Sequence, residues 1–372
     1  MTSNELTVAS GELTALRLID IAYSIDLAHA ERLWAERSGQ AFNRSHLSTP
    51  PKAVAFGVAP LWLALGDLPI ELAGHVARAG LSVRLYDFGV AALSVRIPVD
   101  NQPWSLFAAD VEALDARVGA GADPVFWTDL LARVREILLP SLDRPATSAL
   151  DEDYLIATVH AFDTPVDAES LKERLDLTQV LSGETRPLSR AARKELLSRS
   201  FSYYADDLVV LNWDRAFIYE PRRDTDVADV IEVANAQLVE LRYYDTLLDD
   251  ELPLMYDQVE NARTTASLLA SRRFAYLARR LYTLVAEVTE LTERVDNALQ
   301  VTEDVYLARV YSTALSLFRV PTLSASVDRK LAIIRDTYAA LYEEASSRRS
   351  ELLEIAIVVL IVVEIAISLL RM

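Results

Sequence analysis

The stretch from Leu352 to Leu370 constrains the fold most, because it is apolar over its whole length apart from two glutamates. Nineteen helical residues rise roughly 28 Å, close to the hydrocarbon thickness of a bilayer. Fourteen of the nineteen are Leu, Ile or Val, and their insertion energy outweighs the cost of Glu354 and Glu364. The sequence therefore predicts a transmembrane anchor at residues 351–372. Within it, Glu364 is expected to be an intramembrane carboxyl, protonated or hydrogen-bonded at a helix contact.

Charge and composition predict where such a protein would sit. The chain has 372 residues, a net charge of −18 and no cysteine. The acidic balance disfavours general attraction to nucleic acid or anionic lipid, and the lack of cysteine excludes disulfides and thiolate metal sites. Arg348 and Arg349 precede the apolar stretch, only Arg371 follows it, and the N-terminus has no signal or transit pattern. These features predict a tail-anchored, single-pass protein whose large N-terminal part is cytoplasmic.

Hydrophobic periodicity divides the rest of the chain into three regions. Residues 1–150 mix short β-like runs with short helices, and residues 151–223 continue this pattern to a hairpin signal around Asn212. Residues 224–350 carry apolar residues in steps of three and four, a heptad seam typical of a coiled coil. The predicted fold class is α+β. A mixed N-terminal region, with a ferredoxin-like arrangement as one candidate, precedes an antiparallel helical hairpin or bundle that runs into one transmembrane helix.

No motif in the chain defines a catalytic, nucleotide-binding or metal site. The four histidines lack metal-ligand spacing and the glycines form no phosphate-binding pattern. We therefore expect no metal and no cofactor; the sequence favours a non-enzymatic protein and leaves enzymatic activity open. Polar clusters on the two long predicted helices form a candidate polar site, because their spacing places several groups on one helix face. It consists of Asn235, Glu240, Arg242, Asp245, Glu290, Glu293, Arg294 and Asn297.

Basic side chains mark two further segments, one before the predicted hairpin and one on the second long helix. Acidic helices elsewhere in the chain favour internal pairing, while contact with a protein partner or an anion is the alternative. The candidate contact residues are Arg190, Arg193, Lys194, Arg272 and Arg273.

Five segments carry a resemblance to a known family. They are SYYADDLVVLNWDRAFIYEP, EVANAQLVELRYYDTLLDDEL, VTELTERVDNALQVTEDVYLARVY, SVDRKLAIIRDTY and RRSELLEIAIVVLIVVEIAISLL. In this order they resemble the Rmd or YagE family of uncharacterised membrane-associated proteins, whose eukaryotic members are named for meiotic nuclear division. The resemblance implies a protein without an established enzymatic activity. For a chain that lacks a transit peptide, it also implies a bacterial cytoplasmic membrane.

The leading functional hypothesis is a non-enzymatic, membrane-anchored scaffold or tether. Its helical stalk would self-associate into a homo-oligomer through the heptad seam, and its cytoplasmic α+β domain would bind a protein partner. Two alternatives remain open. One is an enzyme of unknown reaction with a polar site on the long helices, and the other is an RNA- or ribosome-associated membrane tether that uses the basic segments.

Overall fold

The computed structural model describes most of the chain. The described residues are 5–39, 41–44, 54–56, 58–146, 150–184, 186–223, 226–263, 267–301 and 305–370. Contacts divide the chain into two compact units. The first unit comprises residues 1–240 and 294–321, and the second comprises residues 241–293 and 322–372.

Strands dominate the first half of the chain and helices the second. The strands are β1 Thr7–Asp20, β2 Ala22–Ile25, β3 Phe42–Arg44, β4 Val54–Phe56, β5 Leu61–Leu72, β6 His75–Leu85, β7 Val90–Pro103, β8 Leu142–Pro145, β9 Asp151–Phe162, β10 Ser200–Phe201, β11 Leu208–Leu211, β12 Arg215–Tyr219 and β13 Leu299–Val301. The α-helices are α1 Leu27–Arg37, α2 Trp104–Val118, α3 Val125–Leu138, α4 Ala168–Arg174, α5 Thr178–Ser182, α6 Arg190–Leu196, α7 Asp226–Arg263, α8 Ser267–Ala298, α9 Val305–Leu317 and α10 Val320–Leu370. A short 3₁₀ turn covers Leu139–Ser141.

A nine-stranded mixed sheet organises the first unit, in the order β10-β11-β12-β9-β1-β7-β6-β5-β3. β12 pairs with β9 in parallel, and the other neighbouring pairs are antiparallel. The predicted hairpin is confirmed, since β11 and β12 are antiparallel neighbours. The ferredoxin-like candidate is wrong, because a βαββαβ unit cannot supply nine strands. β9 pairs with β1, so residues on both sides of the boundary predicted at residue 150 share this sheet.

Alternation along the strands gives the sheet two different faces. Leu13 and Ala15 of β1 point into the main hydrophobic core, to which α1 to α5 also contribute. Thr14 and Leu16 point the other way, where they line a cavity together with Asp229 of α7. The first part of α7 therefore covers the second face of the sheet, and that face is more polar than the first.

The turn between β6 and β7 depends on a glycine. Gly89 has a φ of +103°, a conformation that side-chain-bearing residues rarely adopt. A Cβ atom at this position would lie 1.8 Å from the carbonyl oxygen of Ala22. The carbonyl oxygen of Gly89 accepts a hydrogen bond from the backbone N–H of Ile21 at 3.0 Å. The turn is thereby held against the chain that follows β1.

The second unit is built from parts of α7, α8 and α10. Tyr244, Leu281 and Ile334, one on each helix, are buried, in keeping with the spacing of apolar residues along the sequence. Arg280 of α8 pairs with Glu251 of α7 at 2.8 Å. These three helices therefore pack on one another through an apolar seam with ion pairs at its border.

The predicted transmembrane anchor is wrong. Within the described residues, no helix is both long enough and apolar enough to cross a membrane. Glu354 and Glu364 both interrupt the apolar part of α10, and charged side chains inside a bilayer are costly. The fold class is thus α+β without the predicted anchor, and the single-pass topology in a bacterial cytoplasmic membrane is corrected with it.

Candidate functional site

A buried ionic cluster joins the sheet to the first turns of α7. Arg84 of β6 lies 2.8 Å from the carboxylate of Asp229 and 3.3 Å from that of Glu232. Tyr86 donates its hydroxyl to the Glu232 carboxylate at 2.9 Å. Because Asp229 and Glu232 are three residues apart, both carboxylates leave α7 on the same side. All four side chains are buried, so the cluster is a buried ionic contact between the sheet and α7.

Burial controls the protonation of this cluster. Removal from water raises the pKa of Glu232, whereas Arg84 and, more weakly, Arg96 lower it. Burial acts to lower the pKa of Arg84, but Asp229 and Glu232 outweigh it, so this pKa lies well above the ordinary value. Burial, followed by the charge of Glu232, raises the pKa of Tyr86 well above its ordinary value. Arg84 therefore stays a cation and Tyr86 stays a neutral donor.

A cavity of about 120 Å³ lies beside the ionic cluster, between the sheet and α7. Alternate side chains of β1 and β9, one side chain of β12 and the first turns of α7 form its walls. Its lining is unusually rich in polar groups for a space between a sheet and a helix. The polar side chains that matter most for its chemistry are Glu12, Arg96, Thr158, His160, Arg223 and Glu232.

Most of these polar groups are already engaged with a neighbour. Glu12 accepts a hydrogen bond from the Thr14 hydroxyl at 3.0 Å, and Arg223 donates to the Ser10 hydroxyl at 2.9 Å. Nδ1 of His160 lies 3.2 Å from the carbonyl oxygen of residue 220; since a carbonyl only accepts, Nδ1 carries the proton. Arg96 differs: its Nε is buried and has no hydrogen-bond partner among the described residues. A buried guanidinium nitrogen without a partner is costly, so the hydrogen-bonding capacity of Arg96 is only partly used within the described residues.

Asn235 and Glu240 of the candidate polar site lie in the first unit. Asn235 is buried and donates its side-chain amide to the Ile231 carbonyl at 3.0 Å, within α7 itself. Its neighbour Gln237 accepts from the hydroxyl of Tyr311 on α9 at 2.7 Å. Glu240 is buried as well. Gln237 thus joins α7 to α9, and the three residues are not among those that line the cavity.

The other members of the candidate polar site are separated from that group. Asp245 belongs to the second unit, where it accepts from Lys330 of α10 at 2.6 Å. Arg242 is half-buried and Glu290 is exposed. The remaining members, whose side chains lie outside the described ones, are Glu293, Arg294 and Asn297. A single site made of all eight residues is therefore not observed, and its proposed role stays a prediction.

The basic segments give little support to a binding role. Arg193 lies 3.4 Å from Asp176, and Arg190 and Lys194 are exposed on α6, a helix without a buried residue. The side chains of Arg272 and Arg273 lie outside the described ones. Contact with a partner or an anion through these residues stays a prediction. Glu364, predicted as an intramembrane carboxyl, is exposed on α10.

Sequence reasoning missed a buried carboxyl at the end of β1. Asp20 is buried, and burial raises its pKa from 3.8 to about 7, although a backbone hydrogen bond from Ala22 and the charge of Arg135 oppose the change. Its Oδ2 atom has no hydrogen-bond partner among the described residues. The signal in the sequence is an aspartate that shares one strand face with Leu16 and Leu18, both of which are apolar and buried.

Asp115, Asp153 and Asp214 are acidic side chains whose charges influence one another, but they do not form a metal site. Desolvation raises the pKa of Asp153 and of Asp214, and the charge of Asp115 adds to both shifts. Asp115, however, is paired with Arg215 at 2.7 Å. Across the described residues, no group of three or more carboxylate, histidine or cysteine side chains could hold a metal ion.

Fold and site together define an α+β protein with a mixed nine-stranded sheet and a polar cavity beneath α7. The chain belongs to the family defined by the N-terminal domain of the uncharacterised protein MJ0711, whose family model matches residues 10–225. The uncharacterised protein MJ0711 of Methanocaldococcus jannaschii is 26% identical over 215 residues, which are 57% of this chain and 65% of that relative. The aligned part thus spans just under two thirds of the relative. No solved structure matches the chain.

The resemblance to the Rmd or YagE family is wrong, because the family that matches is the MJ0711 one. The match begins at residue 10, inside β1, and extends past the end of β12, so it contains the nine-stranded sheet except for the first three residues of β1. The first turns of α7, with Asp229 and Glu232, follow the matched region. The motifs quoted for the Rmd or YagE resemblance lie mostly on the helices beyond it.

Proposed function

We propose that this protein is a self-associating, non-enzymatic scaffold whose copies join through the apolar part of α10. One observation carries the proposal. Every described side chain from residue 354 to residue 367 is exposed, and twelve of these fourteen residues are apolar. A helix that is apolar on all sides has no face suited to water, and exposed apolar surface of this extent is typical of an interaction site.

A second copy of the chain is the proposed occupant. Ten Ile, Val and Leu side chains in this segment each expose about half of their surface. Covering half of that exposed surface on each of two copies would contribute about 8 to 15 kcal/mol in total, at about 1.5 to 3 kcal/mol per fully buried side chain. Association costs about 4 to 15 kcal/mol, so a pair of helices that covers one side of each would be marginal. We therefore expect an assembly of three or more copies, in which each helix is covered on several sides.

The wide apolar surface also favours copies over a single different partner. Each copy presents the same segment, so one packing arrangement satisfies every member of a closed assembly. The carboxylates of Glu354 and Glu364 would lie at the border of such a bundle, because a buried, unpaired carboxylate would destabilise it. The first unit, with the family domain, would then be presented in several copies to a protein partner.

Sedimentation velocity of the full chain over a range of concentrations tests the proposal. The wild type should sediment as an oligomer of at least three copies. The double variant Val358→Glu/Val362→Glu places two charges on one side of the helix and should shift the protein to monomer. A matched control is Val76→Glu/Val125→Glu, because both valines are exposed on the first unit; it should leave the oligomer unchanged. A monomeric wild type, or association with phospholipid vesicles in place of self-association, would overturn the proposal.

A further inference from the structure

We propose that the cavity beneath α7 binds a small zwitterion of α-amino-acid size, with its carboxylate at Arg96 and its ammonium group at Glu12. This inference is independent of the self-association proposed above. It concerns the first unit alone, and both of these residues lie within the region shared with the MJ0711 family.

The balance of charge around the cavity selects the class of ligand. Arg84, Arg96 and Arg223 supply three guanidinium groups, and three carboxylates face them, from Glu12, Asp229 and Glu232. A single anion or a single cation would leave this balanced set with a net charge beside the buried side chains of Arg84, Asp229 and Glu232, where an unbalanced charge is costly. A ligand with one charge of each sign keeps the balance. Such a ligand also supplies a hydrogen-bond acceptor for a guanidinium group and a hydrogen-bond donor for a carboxylate.

Two groups are placed to take the two ends of such a ligand. Arg96 lines the cavity, and guanidinium groups bind carboxylates in a fork geometry. Glu12 has one carboxylate oxygen engaged by the Thr14 hydroxyl. A carboxylate offers about four acceptor positions, so capacity for an ammonium group remains.

The size of the cavity limits the ligand. A volume of about 120 Å³ is somewhat smaller than an engineered protein cavity of ~150 Å³ that binds benzene. Glycine, alanine and serine fall in this range, and amino acids with long side chains exceed it. Ordered water molecules are the alternative occupant of the cavity, since water can also form hydrogen bonds with buried polar groups.

Isothermal titration calorimetry on the full chain tests the inference, with glycine, alanine and serine as probes. At least one should bind saturably with 1:1 stoichiometry. Acetate and methylammonium, which each carry one of the two charges, should bind at least about tenfold more weakly, because each loses one charged hydrogen-bonding group. Absence of saturable binding by all three amino acids would overturn the inference and leave water as the content.

Variants locate the binding. Arg96→Met and Glu12→Gln should each weaken amino-acid binding at least about tenfold. The matched control is Arg78→Met, because Arg78 is exposed and pairs with Asp67 at the surface; it should bind as the wild type does. If Arg96→Met fails to fold, Arg96→Lys and Glu12→Gln still decide the question. Binding that neither cavity variant weakens would place the ligand elsewhere and refute this site.

Discussion

The buried carboxyl of Asp20 should make the stability of the first unit fall as pH rises. Asn is the informative replacement because it keeps the shape of the side chain and an oxygen that can accept from the N–H of Ala22, yet it cannot ionise. The variant Asp20→Asn therefore removes the titration and leaves the packing. Its effect should depend on pH, whereas an ordinary packing defect would cost the same free energy at every pH.

The magnitude follows from the change in pKa on folding. Burial raises the pKa of Asp20 from 3.8 to about 7, and each unit of difference corresponds to about 1.4 kcal/mol. A raised pKa in the folded state contributes stability that is fully present below pH 3.8 and is lost as pH rises through about 7. Over the whole window the wild type loses about 4 kcal/mol relative to the variant. Between pH 5 and pH 8, the wild type loses about 2.5 kcal/mol of stability relative to the variant.

Urea unfolding followed by tryptophan fluorescence measures this difference. All five tryptophans of the chain precede residue 240, so the signal reports on the first unit alone. The free energies of unfolding of wild type and Asp20→Asn should diverge between pH 5 and pH 8. The variant should become more stable relative to the wild type as pH rises. Asp143→Asn, a change at a carboxylate exposed to solvent, is the matched control and should follow the wild type. A constant offset between wild type and Asp20→Asn across this range would refute the reasoning.

Three further predictions concern other described contacts. Arg84→Met should lower the free energy of unfolding by about 3 to 5 kcal/mol in the same urea assay, because it leaves the carboxylate of Glu232 buried without its cation; a loss below 1 kcal/mol would argue against a buried ion pair. Gly89→Ala should cost more than about 3 kcal/mol, since the methyl group meets the Ala22 carbonyl in a strained conformation, and an unchanged urea midpoint would contradict the turn. Lys330→Gln should lower the thermal midpoint of the helical signal in circular dichroism by an amount equivalent to about 1 kcal/mol, because its ion pairs are partly exposed; an increase in that midpoint would show that they do not stabilise the second unit.

Local patterns in the sequence predicted the elements whose partners are close along the chain. The β11–β12 hairpin was predictable because two apolar arms flank a short polar turn at Asn212. The buried positions Leu281 and Ile334 followed from the three- and four-residue spacing of long helices. In both cases the interaction that forms the element lies within a few residues, so one stretch of sequence contains all of the signal.

The arrangement of the sheet and the candidate site could not be predicted in the same way. Arg84 and Asp229 are far apart in sequence, and no local pattern indicates that they meet. A signal for one half of the pair does exist: Arg84 stands at a buried position of an apolar strand, where a charge requires a partner. The predicted anchor was inferred from local apolar content from Leu352 onward, and it is wrong because no helix of the described residues is long and apolar enough to cross a membrane.

The position of β1 at the centre of the sheet has a consequence for synthesis. β1 pairs with β9, about 140 residues later in the chain, so its second edge stays open until β9 has left the ribosome. At roughly 5 to 20 residues per second, this wait lasts about 7 to 30 seconds. During that time an apolar strand with an unpaired edge is available to other nascent chains. We therefore expect a cell that makes this protein to need either few nascent chains at a time or a chaperone that covers β1 until β9 pairs with it.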